Sequence, residues 1–208
     1  MKTKRTWKVV LASIIFGLGI FLYYYLMLPG NANRDSFLVT AGKPMIAANP
    51  PSQHLEDALV TNSEGLSGAT VILQTTRGII KYKFYTKDAP KTVHRMVELI
   101  QKGFYNDLTF HRVVPGFVIQ GGDPTGTGMG GSGVNLPAEF NSRKHIPGAV
   151  AMARSQDINS ADSQFYITLG THPHLDGQYT IFGQVISGLD VANQIKTGDR
   201  MVKVTIEL

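Results

Sequence analysis

The run Phe110 to Gly131, FHRVVPGFVIQGGDPTGTGMGG, sets one arginine and one glutamine among several apolar residues. Arg112 stays charged at physiological pH and presents a rigid fork of donors, and the Gln120 amide donates as well. Phe117 supplies an apolar wall, and Pro115-Gly116 can turn the chain between two short extended runs. No nucleophile stands beside them. A set of this kind can bind a peptide and polarise one of its amides, but it can hardly cut one.

Other patterns in the chain fail on their context. Gly126-Thr127-Gly128-Met129-Gly130-Gly131 fits the spacing of a dinucleotide loop. That loop must open a helix whose N-terminus meets the phosphate, and Pro137 with no amphipathic period denies the helix. Ser132 lies among glycines, yet a nucleophile elbow needs glycine two residues on, where Val134 stands. His172 and His174 flank Pro173 without an acidic partner at ligand spacing, so they read as loop residues rather than metal ligands.

The elements that must position Arg112 and Gln120 begin with Thr70 to Thr75 and Ile79 to Tyr85, a hairpin across Arg77-Gly78. A helix follows, with Asp88 as its expected cap and Pro90 in its first turn. Val93, Met96, Val97 and Ile100 recur on one face, and Gly103 ends it. Further extended runs are expected at Phe110 to Val114, Phe117 to Gln120, Gly148 to Ala153, Gln164 to Thr168, Thr180 to Val185 and Val202 to Glu207. A shorter helix is expected at Leu189 to Lys196. Many short strands with glycine-rich connections predict a mainly β domain, a closed antiparallel barrel with two helices capping its open ends.

The 208 residues are 43% hydrophobic and 17% charged, enough for a core and against disorder. The net charge is +5, but Lys2, Lys4, Arg5 and Lys8 precede any acid and leave only +1 elsewhere. That is no electrostatic footprint for nucleic acid. Those charges flank Val9 to Leu28, uncharged residues long enough as a helix to span a bilayer. With Trp7 near one end and Tyr23, Tyr24 and Tyr25 near the other, the run reads as a signal anchor with a cytoplasmic N-terminus. A cleaved secretory signal is the alternative. The expected organisation is therefore a basic N-terminus over 1–8, a transmembrane helix over 9–28, a Pro- and Asn-rich linker over 29–68 and a domain over 69–208. The absence of cysteine excludes disulfides, thiol catalysis and cysteine-bound zinc. Together with the lack of a glycosylation sequon, it points to a bacterial protein whose domain faces the periplasm or the cell surface.

The blocks FHRVVPGF, QGGD, AMAR, SQFYI and LDG, in this order over residues 70 to 208, closely resemble the signature of the cyclophilins. These are peptidyl-prolyl cis-trans isomerases that bind cyclosporin. The resemblance implies an eight-stranded β-barrel with two helices. It also implies rotation of X-Pro bonds without covalent chemistry and without metal, nucleotide or organic cofactor. The barrier to that rotation is about 18–20 kcal/mol. A guanidinium aimed at the prolyl nitrogen favours the twisted state in which the amide loses its double-bond character.

On this resemblance Arg112 matches the catalytic arginine, Gln120 its buttress, and Phe117 and Phe165 the aromatic floor of the proline pocket. Leu175 matches the aliphatic wall, and Val118 replaces a common methionine beside it. His111, Gly128, Ala153, Arg154 and Gln164 fall on the peptide groove. His174 stands where cyclosporin-sensitive members often carry tryptophan, which implies weak cyclosporin binding. Tyr179 replaces a common histidine in the pocket wall, and Arg154 replaces a common asparagine and adds charge. The implied partners are proline-containing peptides and exported proteins in the course of folding. A proline-peptide-binding module without turnover and a tethered chaperone are the rival readings, and the retained Arg112 and Gln120 speak against the first.

Overall fold

The structure, a computed structural model, describes residues 65–66 and 68–208. The expected basic N-terminus, membrane anchor and nearly all of the linker lie outside the described residues. Among the described residues, no helix is long and apolar enough to cross a membrane.

Eight strands form one antiparallel sheet: β1 (Thr70–Thr75), β2 (Gly78–Phe84), β3 (Arg112–Val114), β4 (Val118–Gly121), β5 (Ala149–Met152), β6 (Phe165–Thr168), β7 (Ile181–Ser187) and β8 (Met201–Glu207). Their order is β3-β4-β6-β5-β7-β2-β1-β8. Among the described residues two helices accompany them, α1 (Pro90–Gln101) and α2 (Leu189–Gln194), with a 3-10 turn at Pro173–Leu175.

Strand periodicity sorts the side chains to two faces. Ile119, Val150, Met152, Phe165, Ile167 and Phe182 point inward to the main core, where α1 adds Val93, Met96, Val97 and Ile100. Their neighbours Val118, Ala149, Ala151, Tyr166 and Ile181 form a smaller apolar cluster on the other face. The second cluster carries the candidate site.

The expected closed barrel is an open, curled sheet. β3 is only three residues long, and no ladder joins it to β8 among the described residues. Asp107, at φ 62°, lies in the turn that precedes this edge, and a single bridge pairs Thr109 with Arg200. Residues 107–110 instead cross the gap by individual backbone bonds. Asp107 N–H donates to Met201 at 2.7 Å, Met201 N–H to Leu108 at 2.8 Å, and Phe110 N–H to Asp199 at 2.9 Å. Buried backbone groups are thereby satisfied without a continuous ladder.

The expected cap of α1 is also different. The N-cap is Ala89, without a side-chain bond, and Asp88 instead binds Arg143 at 2.8 Å. The first-turn N–H groups of Lys91 and Thr92 donate to the Glu139 carboxylate at 2.9 and 2.8 Å. A distant acid thus serves the positive end of the helix, a role no local pattern marks. Gly103, at φ 69°, closes the other end as expected, and its N–H donates to Ile100 at 2.9 Å.

Candidate active site

The β3–β4 hairpin sets Arg112 directly across from Gln120. The turn between the strands needs Gly116 at φ 72°, and it closes with Phe117 N–H donating to Val114 at 3.0 Å. Arg112 Nη1 donates to Gln120 Oε1 at 3.3 Å, and Gln120 Nε2 donates to Gln164 Oε1 at 3.0 Å. Gln164 Nε2 then donates to the carbonyls of Gly128 and Gly130 at 3.0 and 2.8 Å. A continuous line of amides therefore holds the guanidinium from behind. Its Cζ also sits 5.7 Å from the centre of the Phe117 ring.

The glycine-rich loop is organised around a buried acid. Asp123 accepts from the N–H groups of Thr125, Gly128 and Gly130 and from the Thr125 hydroxyl. Burial alone pushes its carboxyl up, but the donors led by the Thr125 hydroxyl outweigh this and hold it well below the usual range. A Cβ on Gly130 would lie 2.2 Å from Asp123 Oδ1, so no larger residue fits there. The N–H groups that a phosphate would need are turned inward to this carboxylate.

In front of Arg112 and Gln120 lies a depression of about 180 Å³. Phe117, Val118, Leu175 and Tyr179 line it with Ala153 and Arg154, and Tyr166 is the most buried of its aromatic residues. A second depression of about 340 Å³ adjoins it, sharing Gln120, Ala153 and Arg154 and adding Gly128, Asp162 and Gln164. Arg154 is fixed at their boundary. Its Nε and Nη2 donate to the Gln178 carbonyl at 3.1 and 3.0 Å, and its Cζ lies 4.8 Å from the Tyr179 ring centre. Both charged side chains that line the smaller depression are cationic, and no nucleophile paired with a base is among them.

Most of the residues expected at the site gather here, and Phe165 does not. It is only 2% exposed and packs into the main core, its ring 5.6 Å from that of Tyr105. Tyr166 takes the expected floor position. The cause is strand alternation: β4 pairs Gln120 with Tyr166, and both face the site while Phe165 faces away. His174 does not line the depression itself; it stacks on Phe117 at 6.1 Å with an interplanar angle of 17°. His172 meets the Phe117 ring edge-on at 4.7 Å, a contact that sequence reasoning missed. His111 faces the glycine loop, and both of its ring nitrogens are buried without a hydrogen-bond partner among the described residues. Burial lowers its pKa, against the opposing pull of Asp123.

Known proteins share this fold and its sequence blocks. The family model for cyclophilin type peptidyl-prolyl cis-trans isomerases matches residues 70–207. A peptidyl-prolyl cis-trans isomerase of Synechococcus elongatus is 47% identical over 137 residues, covering 65% of this chain and 94% of that protein. Peptidyl-prolyl cis-trans isomerase B of Bacillus subtilis is 45% identical over 130 residues, covering 62% and 90%. Among solved structures, a Cryptosporidium parvum cyclophilin type isomerase, determined in the presence of the dipeptide Ala-Pro, aligns with a TM-score of 0.63 at 32% identity. That alignment covers 67% of this chain and 99% of the other. The open curled sheet, the Arg112–Gln120 hairpin and these likenesses agree, and the chain belongs to the cyclophilin family of peptidyl-prolyl cis-trans isomerases.

Proposed function

We propose that this chain accelerates cis-trans isomerisation of X-Pro bonds in peptides and in exported proteins as they fold, using Arg112 as the group that polarises the prolyl nitrogen. The observation that carries this reading is the line Arg112–Gln120–Gln164, which fixes a permanent cation over an apolar depression. The proline ring lies in the depression between Phe117, Val118, Leu175 and Tyr166. The peptide backbone runs past Gln120 and Ala153 into the adjoining depression. As the amide twists, the nitrogen lone pair leaves conjugation with the carbonyl and localises on nitrogen, and the pre-oriented guanidinium stabilises that state more than the planar ground state. No bond to the protein forms or breaks.

Uncatalysed X-Pro rotation takes roughly tens to hundreds of seconds and can limit folding, so the activity suits a protein that meets unfolded chains. The uncharged run at 9–28, behind four basic residues, supports a domain tethered on the outer side of a bacterial membrane. Cyclosporin binding is weak in this reading, because the His174 imidazole offers less apolar area than an indole. The test is exchange between cis and trans forms of an Ala-Pro peptide, followed by NMR with catalytic amounts of the full chain. Acceleration supports the enzyme, whereas binding without acceleration leaves only a peptide-binding module.

A further inference from the structure

Behind Tyr166 lies a polar trio that the reaction does not use, with His145 and Tyr166 buried and Asp176 half-buried. The His145 side chain is 0% exposed. Its Nδ1 lies 3.0 Å from Asp176 Oδ1, and its Nε2 lies 2.9 Å from the Tyr166 hydroxyl. The His145 backbone N–H also donates to Asp176 Oδ1 at 2.9 Å, and its carbonyl accepts the His172 N–H at 2.8 Å. Lys144 pairs with the other oxygen of Asp176 at 3.2 Å.

Burial lowers the His145 pKa and favours the neutral ring, and in a neutral ring these contacts set the direction of each proton. The ionised Asp176 can only accept, so it takes the proton on Nδ1 and leaves a lone pair on Nε2. Tyr166 therefore donates its hydroxyl to Nε2. Its ring lies nearly parallel to the imidazole, at 16°, and Tyr179 meets both rings edge-on. Because Asp176 directly follows Leu175, one histidine holds both the floor and the segment that carries the wall. A phenylalanine could fill the same floor with no buried polar group to satisfy, so packing alone does not account for the trio.

We infer that His145 and Asp176 are positioning residues, which lock the Tyr166 ring through its hydroxyl and thereby set the tightness of the proline pocket without touching the substrate. This inference rests on the proposed peptide site. Its test titrates an Ala-Pro-containing peptide into the full chain and into Tyr166→Phe, His145→Gln and the double variant. Each single change should raise Kd roughly three- to tenfold, and the double change should raise it no further. The imidazole nitrogens of His145, read by 15N NMR in the free protein, should show a protonated Nδ1 and a bare Nε2. That Nε2 resonance should move in the folded Tyr166→Phe variant. An unchanged Kd in Tyr166→Phe, effects that multiply, or the opposite tautomer would each overturn the inference. Wild type that binds no peptide would instead sink the functional reading beneath it.

Discussion

The chemistry assigned to this site needs one cation in one orientation, and the residues around Arg112 provide the restraint rather than additional charge. Gln120 is the nearest of them. Gln120→Ala removes the acceptor on Arg112 Nη1 and the link to Gln164, and should lower kcat/KM about tenfold. The coupled assay that follows formation of the trans peptide reads this directly. Asp176 offers a separate test through acid. Its carboxyl is held down at about 2, first by the His145 backbone N–H and, against burial, by the His145 ring and Lys144. A carboxyl that ionises more readily in the folded state contributes stability fully above about pH 4, where the unfolded carboxyl is also ionised. That contribution fades as pH falls through 2. Thermal unfolding of wild type and Asp176→Asn should therefore differ at pH 6 and converge toward pH 2.

At the scale of elements, the glycine loop is a folded unit built on one carboxylate. Asp123→Ala removes the shared acceptor of the Thr125, Gly128 and Gly130 N–H groups, and should cost about 2–4 kcal/mol in denaturant unfolding. The β3–β4 hairpin and α1 were legible in the sequence, since Pro115-Gly116 and the Val93 to Ile100 period are local signals. Arg112, Gln120 and Phe117 were legible for the same reason, as they share one hairpin. Phe165 was misplaced against a signal that was present. Gln164 and Phe165 are adjacent, and neighbours in an extended run cannot both face one groove. Counting by two from Gln164 leads to Tyr166. The Glu139 cap and the open edge were not legible. Glu139 lies 48 residues from the N–H of Lys91 that it caps, and the open edge turns on bonds between residues far apart in the chain, such as Asp107 to Met201.

For the whole molecule, a single curled sheet places its core on one face and its site on the other. The residues that line the two depressions all lie between Arg112 and Tyr179. The piece 69–208, produced alone, should unfold cooperatively and should match the full chain in kcat/KM on a short Ala-Pro peptide. A marked loss of turnover in the piece would assign part of the site to the preceding residues. The account as a whole depends most on Arg112. The decisive measurement is kcat/KM for prolyl isomerisation by the full chain, with wild type beside Arg112→Ala and Arg112→Lys, each checked for an unchanged fold. Removing the guanidinium should lower kcat/KM by about 10²–10³, and lysine, without the planar fork, should recover only part of it. An Arg112→Ala variant that turns over like wild type would contradict the account.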